Sequence, residues 1–304
     1  MAAVTPPSVN PAPFGRVLTA MVTPFAADGG LDLDRAASLA AQLVDLGNDG
    51  LIVSGTTGES PTTTDAEKTD LLRAVVDAVG DRAQVVAGVG TYDTRHTIEL
   101  ARTAEKAGAH GLLVVTPFYN RPPQAGLLAH LTDVADATDL PVMLYDIPAR
   151  TGVALAHDTL LRLAEHPRIV ANKDAKGDLF AAQRVLAETD LAYYCGDDAL
   201  NLPLLALGAV GVVSVTGHLV ADRHLRMVQA VLRGDLQTAR EINDTTLPVT
   251  IGIMTRTQGV IMVKAALALL GTPVGPVRLP MVEASESEIV VLTQDLLAGG
   301  LTLA

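Results

Sequence analysis

The sequence predicts an α/β protein: a closed (β/α)8 TIM barrel with a C-terminal helical extension. Three observations carry that expectation. Eight short apolar runs alternate with Ala/Leu-rich segments at spacings of about 20 to 35 residues, from about residue 17 to about residue 232. The runs are continuous rather than alternating, as in parallel strands buried on both faces. Beyond residue 232 only helical patterns remain. Eight consecutive βα units favour closure over an open doubly wound sheet, although one misread strand would leave the sheet open.

In chain order the strands are expected at Leu18–Thr23, Gly50–Ser54, Gln84–Gly88, Gly111–Thr116, Pro141–Tyr145, Arg168–Lys173, Leu191–Cys195 and Gly211–Val215. Helices with charged outer faces follow at Leu33–Gly47, Asp65–Val79 and Thr94–Gly108, and Gly47, Gly80 and Gly108 stand where helix C-caps belong. The extension reads as helices over Leu236–Thr246, Thr255–Leu270 and Ser285–Leu297. The expected organisation is therefore a loose proline-bearing arm over 1–15, a barrel over 16–232 and a helical extension over 233–304.

Composition narrows the classes. A chain of 304 residues, 49 % hydrophobic, buries a large core without a metal or disulfide staple. The single cysteine, Cys195, suits a reducing cytoplasm. A net charge of −12 argues against a nucleic-acid or anionic-membrane partner, both of which recruit basic patches. The N-terminal stretch MAAVTPPSVNPAPFG lacks the basic and apolar regions of a signal peptide. The longest apolar run, residues 202–215, is broken by Pro203, Gly208 and Gly211, and a membrane span needs about 20 residues. A soluble cytoplasmic chain is expected.

A barrel of this kind places its active site at the C-terminal strand ends. Five lysines occur in the sequence. Lys68 and Lys106 sit in charged helical segments and read as solvated; Lys264, in VIMVKAALALL, reads as a snorkelling side chain; Lys176 falls in a polar loop. Lys173 differs, because it ends the sixth strand. A partly desolvated amine there is poised to attack a carbonyl, unless it is a structural ion pair with Asp174. After the second strand, Gly55-Thr56-Thr57-Gly58-Glu59-Ser60 can cradle a small anion, or can be an ordinary Gly-rich turn with caps for the next helix. Gly88-Val89-Gly90 is a weaker version of the same signal. Tyr145 and Arg150 follow the fifth strand and Tyr119 the fourth, placing two phenols and a guanidinium near the mouth. They can move protons and hold a carboxylate, or merely pack and solvate. Asp197 and Asp198 read as helix N-terminal carboxylates, and Cys195 as a small buried side chain. The seven histidines form no ligand-like cluster, so no metal site is expected.

LTAMVTPF, SGTTGESPTTT, TPFYNRPPQ, YDIPARTG, NKDAKGD and CGDDALNLP, in this order, resemble the pyruvate-dependent class I aldolase superfamily. Within it the chain is most similar to the dihydrodipicolinate synthase family of actinobacterial type, over about residues 15–300. The resemblance implies that Lys173 forms an imine with pyruvate, and that Tyr145, Thr56 and Tyr119 relay protons, Tyr119 acting in a neighbouring subunit's site. It implies that Thr56 and Thr57 bind the pyruvate carboxylate, that Arg150 binds the carboxylate of L-aspartate 4-semialdehyde, and that Gly196 and Val213 line the pocket. No cofactor or metal is implied, and the partner is a second copy in a homo-oligomer, a tetramer built as a dimer of dimers. Two departures stand out. Asn172 precedes the lysine where many relatives carry an apolar residue. Tyr92, His96 and Phe118 occupy the places of the lysine-effector residues, with no Glu among them, so weak or absent lysine feedback is expected. The competing expectations are an N-acetylneuraminate lyase or keto-deoxysugar aldolase and, more remotely, a non-catalytic barrel that binds a small acid.

Overall fold

The computed structural model describes residues 12–304, and in it the eight strands pair in chain order, all parallel, into a closed barrel. The strands are β1 (Val17–Ala20), β2 (Gly50–Val53), β3 (Gln84–Gly88), β4 (Gly111–Val115), β5 (Val142–Asp146), β6 (Ile169–Asp174), β7 (Ala192–Cys195) and β8 (Gly211–Ser214). Between and after them lie α1 (Leu33–Asp45), α2 (Asp65–Val79), α3 (Thr94–Lys106), α4 (Gln124–Asp136), α5 (Pro148–Thr151), α6 (His157–Ala164), α7 (Leu179–Glu188), α8 (Asn201–Ala206) and α9 (Gly217–Leu232). The extension carries α10 (Leu236–Met254), α11 (Gly259–Leu269) and α12 (Glu286–Ala298).

Strand alternation sorts the core into two layers. Leu18, Ile52, Val86, Leu113, Met143 and Tyr194 fill the barrel, while the other face of each strand packs under the helices. Six helices start on side-chain caps that the sequence carries, with Asp32, Asp93 and Asp235 capping α1, α3 and α10. Thr64 with Glu67 forms a capping box on α2, Ser285 with Glu288 forms one on α12, and Asp178 caps α7.

Four expectations shift. Residues 12–15, the end of the supposed loose arm, are packed: Phe14 is fully buried inside the barrel, and its N–H donates to Tyr194 Oη at 3.3 Å. Gly111 is required there, because a Cβ would lie 2.3 Å from the Phe14 ring. Residues 1–11 lie outside the described residues. β1 stops at Ala20, since Thr23 turns its hydroxyl to Gly58 O at 2.6 Å. β5 and β6 each run one residue further than expected, pairing Asp146 with Asp174. The first helix of the extension does not stop before Pro248 but continues to Met254, because Val249, Gly252 and Ile253 beyond the proline are buried in the core. Phe14 plugs the strand N-terminal end, so the open end of the barrel is the C-terminal one.

Candidate active site

Tyr145 and Lys173 sit directly opposite each other on β5 and β6 and both point into the barrel. Each is 5 % exposed, and Lys173 Nζ lies 4.1 Å from the Tyr145 ring centroid. Among the described residues Lys173 makes no ion pair. The neighbouring Asp174 carboxylate is on the other face of the strand, where it accepts from Tyr193 Oη at 2.9 Å and from the Lys176 N–H at 2.9 Å. The ion pair considered for Lys173 is thus replaced by an amine facing a phenol. Room for the amine depends on Gly196: a Cβ there would lie 2.9 Å from both Cγ and Cε of Lys173. Val213 is buried in the same interior cluster as Tyr145.

Beside this pair opens a cavity of about 470 Å³. Thr56, Tyr145 and Arg150 line it, with Ser54, Gly55 and Ile147. Thr57, next in the loop, is half-buried. The loop is held in a sharp shape by two residues with left-handed backbone, Ser54 at φ 58° and Glu59 at φ 54°. Such strain persists only where the surroundings over-determine it, and it gathers at functional sites. Gly88 and Gly90 line the same cavity and must be glycine for packing, because a Cβ would lie 2.5 Å from Ser54 O and Val115 N respectively. Arg150, on the short α5, donates through Nη2 to Gln258 Oε1 at 3.0 Å.

A buried polar cluster lies on the outer face of the same two strands. Asp146 is fully buried, pairs with Lys176 at 3.1 Å and accepts from the Leu155 N–H at 3.2 Å. Burial pushes both Asp146 and Asp174 above the usual carboxylate range; the Lys176 charge pulls Asp146 back, and the Lys176 N–H does most to pull back Asp174. Asn172 belongs to this face too. It is fully buried beside Tyr193 in the sheet, and neither polar atom of its side chain has a partner among the described residues. Backbone bonds continue past the strand ends beside the cluster: Ala175 N–H donates to Asp146 O at 3.0 Å and Gly196 N–H to Asp174 O at 2.7 Å.

The end of β8 is tied down in a similar way. Asp198 is buried and accepts from the Val215 and Thr216 N–H groups at 2.8 and 2.9 Å, while Asp197 caps the short turn that Asp198 opens, as expected. Burial drags His218 down to about 4, so the ring is neutral: Nδ1–H donates to Val215 O and Nε2 accepts from the Val22 N–H at 3.0 Å. Cys195 is buried, and burial pushes its thiol well above the ordinary range.

Tyr119 is the expected site residue that the fold does not bring to the others. It is 93 % exposed at φ 72° and stands clear of the cavity lining, whereas Phe118 turns inward and meets Tyr92 edge-to-face at 5.5 Å. Two lysine expectations are corrected. Lys68 is not a solvated surface group: its side chain is 15 % exposed, lines the cavity and donates to Thr63 O at 2.6 Å. Lys264 does not snorkel. It is 6 % exposed and lies 2.7 Å from the buried Glu59 carboxylate. The signal was present, because a helix apolar on every side is buried, and a lysine inside it needs a partner. Gln258 carried no such signal.

Strand order, the closed floor and the residues gathered at the open mouth define the class: a (β/α)8-barrel enzyme. The chain belongs to the dihydrodipicolinate synthetase family, whose model matches residues 13–298. It is 67 % identical over 295 residues to the 4-hydroxy-tetrahydrodipicolinate synthase of Acidothermus cellulolyticus, covering 97 % of this chain and 96 % of that one. It is 65 % identical over 300 residues to 4-hydroxy-tetrahydrodipicolinate synthase 2 of Streptomyces coelicolor, covering 99 % and 100 %. Among solved structures it is similar to the Cyanidioschyzon merolae enzyme with lysine bound, at a TM-score of 0.93 and 44 % identity, covering 95 % of this chain and 99 % of that one. The relatives named as synthases are lyases.

Proposed function

We propose that this chain condenses pyruvate with L-aspartate 4-semialdehyde through an imine on Lys173, giving 4-hydroxy-tetrahydrodipicolinate for lysine and diaminopimelate biosynthesis. The observation that carries this reading is an amine 5 % exposed, 4.1 Å from a phenol ring and without a carboxylate partner among the described residues, beside a cavity lined by hydroxyls and an arginine.

The neutral Nζ adds to the keto carbon of pyruvate, and the carbinolamine oxygen leaves as water with a proton passed through Tyr145. The imine draws electrons from the methyl carbon, which loses a proton and becomes an enamine, so the substrate-derived imine supplies the electron sink that a cofactor otherwise would. The enamine carbon then attacks the aldehyde of the second substrate, and the alkoxide takes a proton from the Tyr145–Thr56–Tyr119 relay. The amino group of the semialdehyde displaces Lys173 from the imine carbon, which closes the ring and restores the free amine. Thr56 and Thr57 hold the pyruvate carboxylate, and Arg150 holds that of the semialdehyde. Both substrates are anions approaching a chain of net charge −12, so these few donors must outweigh the global field.

Tyr119 acts from a second copy, which its outward position favours, in a tetramer built from such dimers. A buried free thiol agrees with a cytoplasmic setting; among the described residues no helix is long and apolar enough to cross a membrane. Feedback by lysine is weak or absent. Tyr92, His96 and Phe118 line the outer part of the cavity, and His96 Nε2 already lies 2.8 Å from Asp65. Inhibition of the purified protein by submillimolar lysine would overturn that point.

Borohydride reduction in the presence of pyruvate tests the reading. It is expected to fix a covalent mass on the Lys173 peptide, and no adduct there would end the proposal. Arg150→Ala should lower semialdehyde turnover far more than imine formation. Equal loss of both, or efficient turnover of a sugar aldehyde, would favour a sugar-aldehyde lyase instead.

A further inference from the structure

The C-terminal extension reaches the mouth of the barrel through Arg278, which donates to Thr62 O at 2.8 Å and pairs with Glu67, and through the N-cap and middle of α11. Gln258, the residue that opens this helix, accepts a hydrogen bond from Arg150 Nη2 at 3.0 Å. Lys264, in its middle, lies 2.7 Å from Glu59 Oε1 and donates to Pro276 O at 2.6 Å. The other carboxylate oxygen of Glu59 accepts from the Arg278 N–H at 2.8 Å. The pair is seated on Phe25, whose ring centroid is 4.4 Å from Lys264 Nζ and 4.1 Å from the Arg278 guanidinium. Gly275 lets this segment close on Phe25, since a Cβ there would overlap the Phe25 carbonyl.

Glu59 is tied to the substrate loop through backbone. Its N–H donates to Thr56 O at 3.1 Å, and the Ser60 N–H donates to Gly55 O at 3.3 Å, so the buried carboxylate anchors the turn that presents Thr56 and Thr57. A glutamate at φ 54° holds that turn only while its side chain is held. The extension thus grips one carboxylate subsite by an ion pair and the other by an amide.

We infer that α11 is a positioning bracket that aims the two carboxylate-binding devices separately: Lys264, through Glu59, aims the Thr56–Thr57 loop, and Gln258 aims Arg150. Which substrate each device receives rests on the function proposed above; that α11 holds both does not. None of Lys264, Glu59 and Gln258 lines the cavity. Their effect is on the aim of donors, and a misplacement of an ångström at such donors changes binding by factors of ten or more.

The test is steady-state kinetics with each substrate varied, together with borohydride trapping at saturating pyruvate. Gln258 is exposed, so Gln258→Ala is expected to fold normally. It should raise KM for the semialdehyde about tenfold, leave KM for pyruvate and the trapped yield unchanged, and add nothing in an Arg150→Ala background. Lys264→Met should do the reverse, raising KM for pyruvate about tenfold with little change in KM for the semialdehyde. Lys264→Arg, which keeps the charge, should restore most of the loss and provides the measurement if the Met variant does not fold. The bracket is refuted if the Lys264 variants lower stability and kcat while both KM values stay put, or if Gln258→Ala moves both KM values equally or neither. Failure of the wild-type protein to trap pyruvate refutes the proposed function instead, so the two failures are distinguishable.

Discussion

Lys173 and Lys264 are hidden to the same degree, 5 % and 6 % exposed, and each holds Nζ near an aromatic ring, at 4.1 Å from Tyr145 and 4.4 Å from Phe25. Their company differs. Lys264 has the Glu59 carboxylate at 2.7 Å; Lys173 faces the inside of the barrel, with the nearest acidic residues of its strand turned to the other face. For Lys264, burial pulls the ammonium down and Glu59 pulls it back. Burial alone therefore does not distinguish an amine left without an ion partner from one held in an ion pair. The presence of a carboxylate does, and strand alternation supplied the difference by placing Asp174 on the side away from Lys173.

The most severe way to break the comparison is to remove each amine in turn. Lys173→Met is expected to cut turnover by roughly a thousandfold or more, with an unchanged or higher melting temperature, since no ion partner is orphaned. Initial rates and thermal melts measure both; retained turnover would dissolve the contrast. Lys264→Met should show the opposite pattern, losing about 3–5 kcal/mol of stability because Glu59 is left buried without its partner, while pyruvate still traps on Lys173. Denaturant titration reads this loss, and an added Glu59→Leu should recover a good part of it.

Gly196→Ala sharpens the comparison on the Lys173 side. The new Cβ would stand 2.9 Å from Cγ and Cε, so the amine is pushed from its place, and imine formation should slow about tenfold with the fold intact. Stopped trapping after pyruvate addition gives the rate, and an unchanged rate would show that the amine has slack to spare. The smallest effect belongs to the Lys264 side. The Arg278 guanidinium holds the Glu67 carboxyl down at about 2, from an ordinary 4.5. A depressed carboxylate stabilises the fold fully above its unfolded value and ceases to do so as pH falls through the folded one. Melting temperature should therefore fall between about pH 4.5 and 2, and Glu67→Gln should flatten that slope. An identical slope in the variant would remove Arg278–Glu67 from the clamp.

Much of this was legible before any coordinates. The eight apolar runs announced the barrel, and each strand lay within a few residues of its expected place because continuous apolar stretches bounded by Gly and polar turns have few alternatives. Lys173, Tyr145, Thr56 and Arg150 could be placed near the open end because the fold class names that end. Phe14 could not, because its burial follows from a plug closed by residues nearly a hundred and nearly two hundred positions away, Gly111 and Tyr194. Pro248 misled, since a local helix-breaking preference yields when the residues beyond it are wanted by the core.

The sequence by itself determined which residue types arrive at the mouth of the barrel, because a strand's end and the two faces of its alternation are written into one short stretch of chain. Only the tertiary structure decided what those residues meet: that Asp174 turns from Lys173 to Lys176 and Tyr193, that Lys264 reaches across 205 positions of sequence to Glu59, and that Gln258 holds Arg150. Periodicity is a local property and survives in the sequence. Pairing between distant charges depends on where separate elements come to rest, and in a closed barrel that is set by the packing of the whole ring.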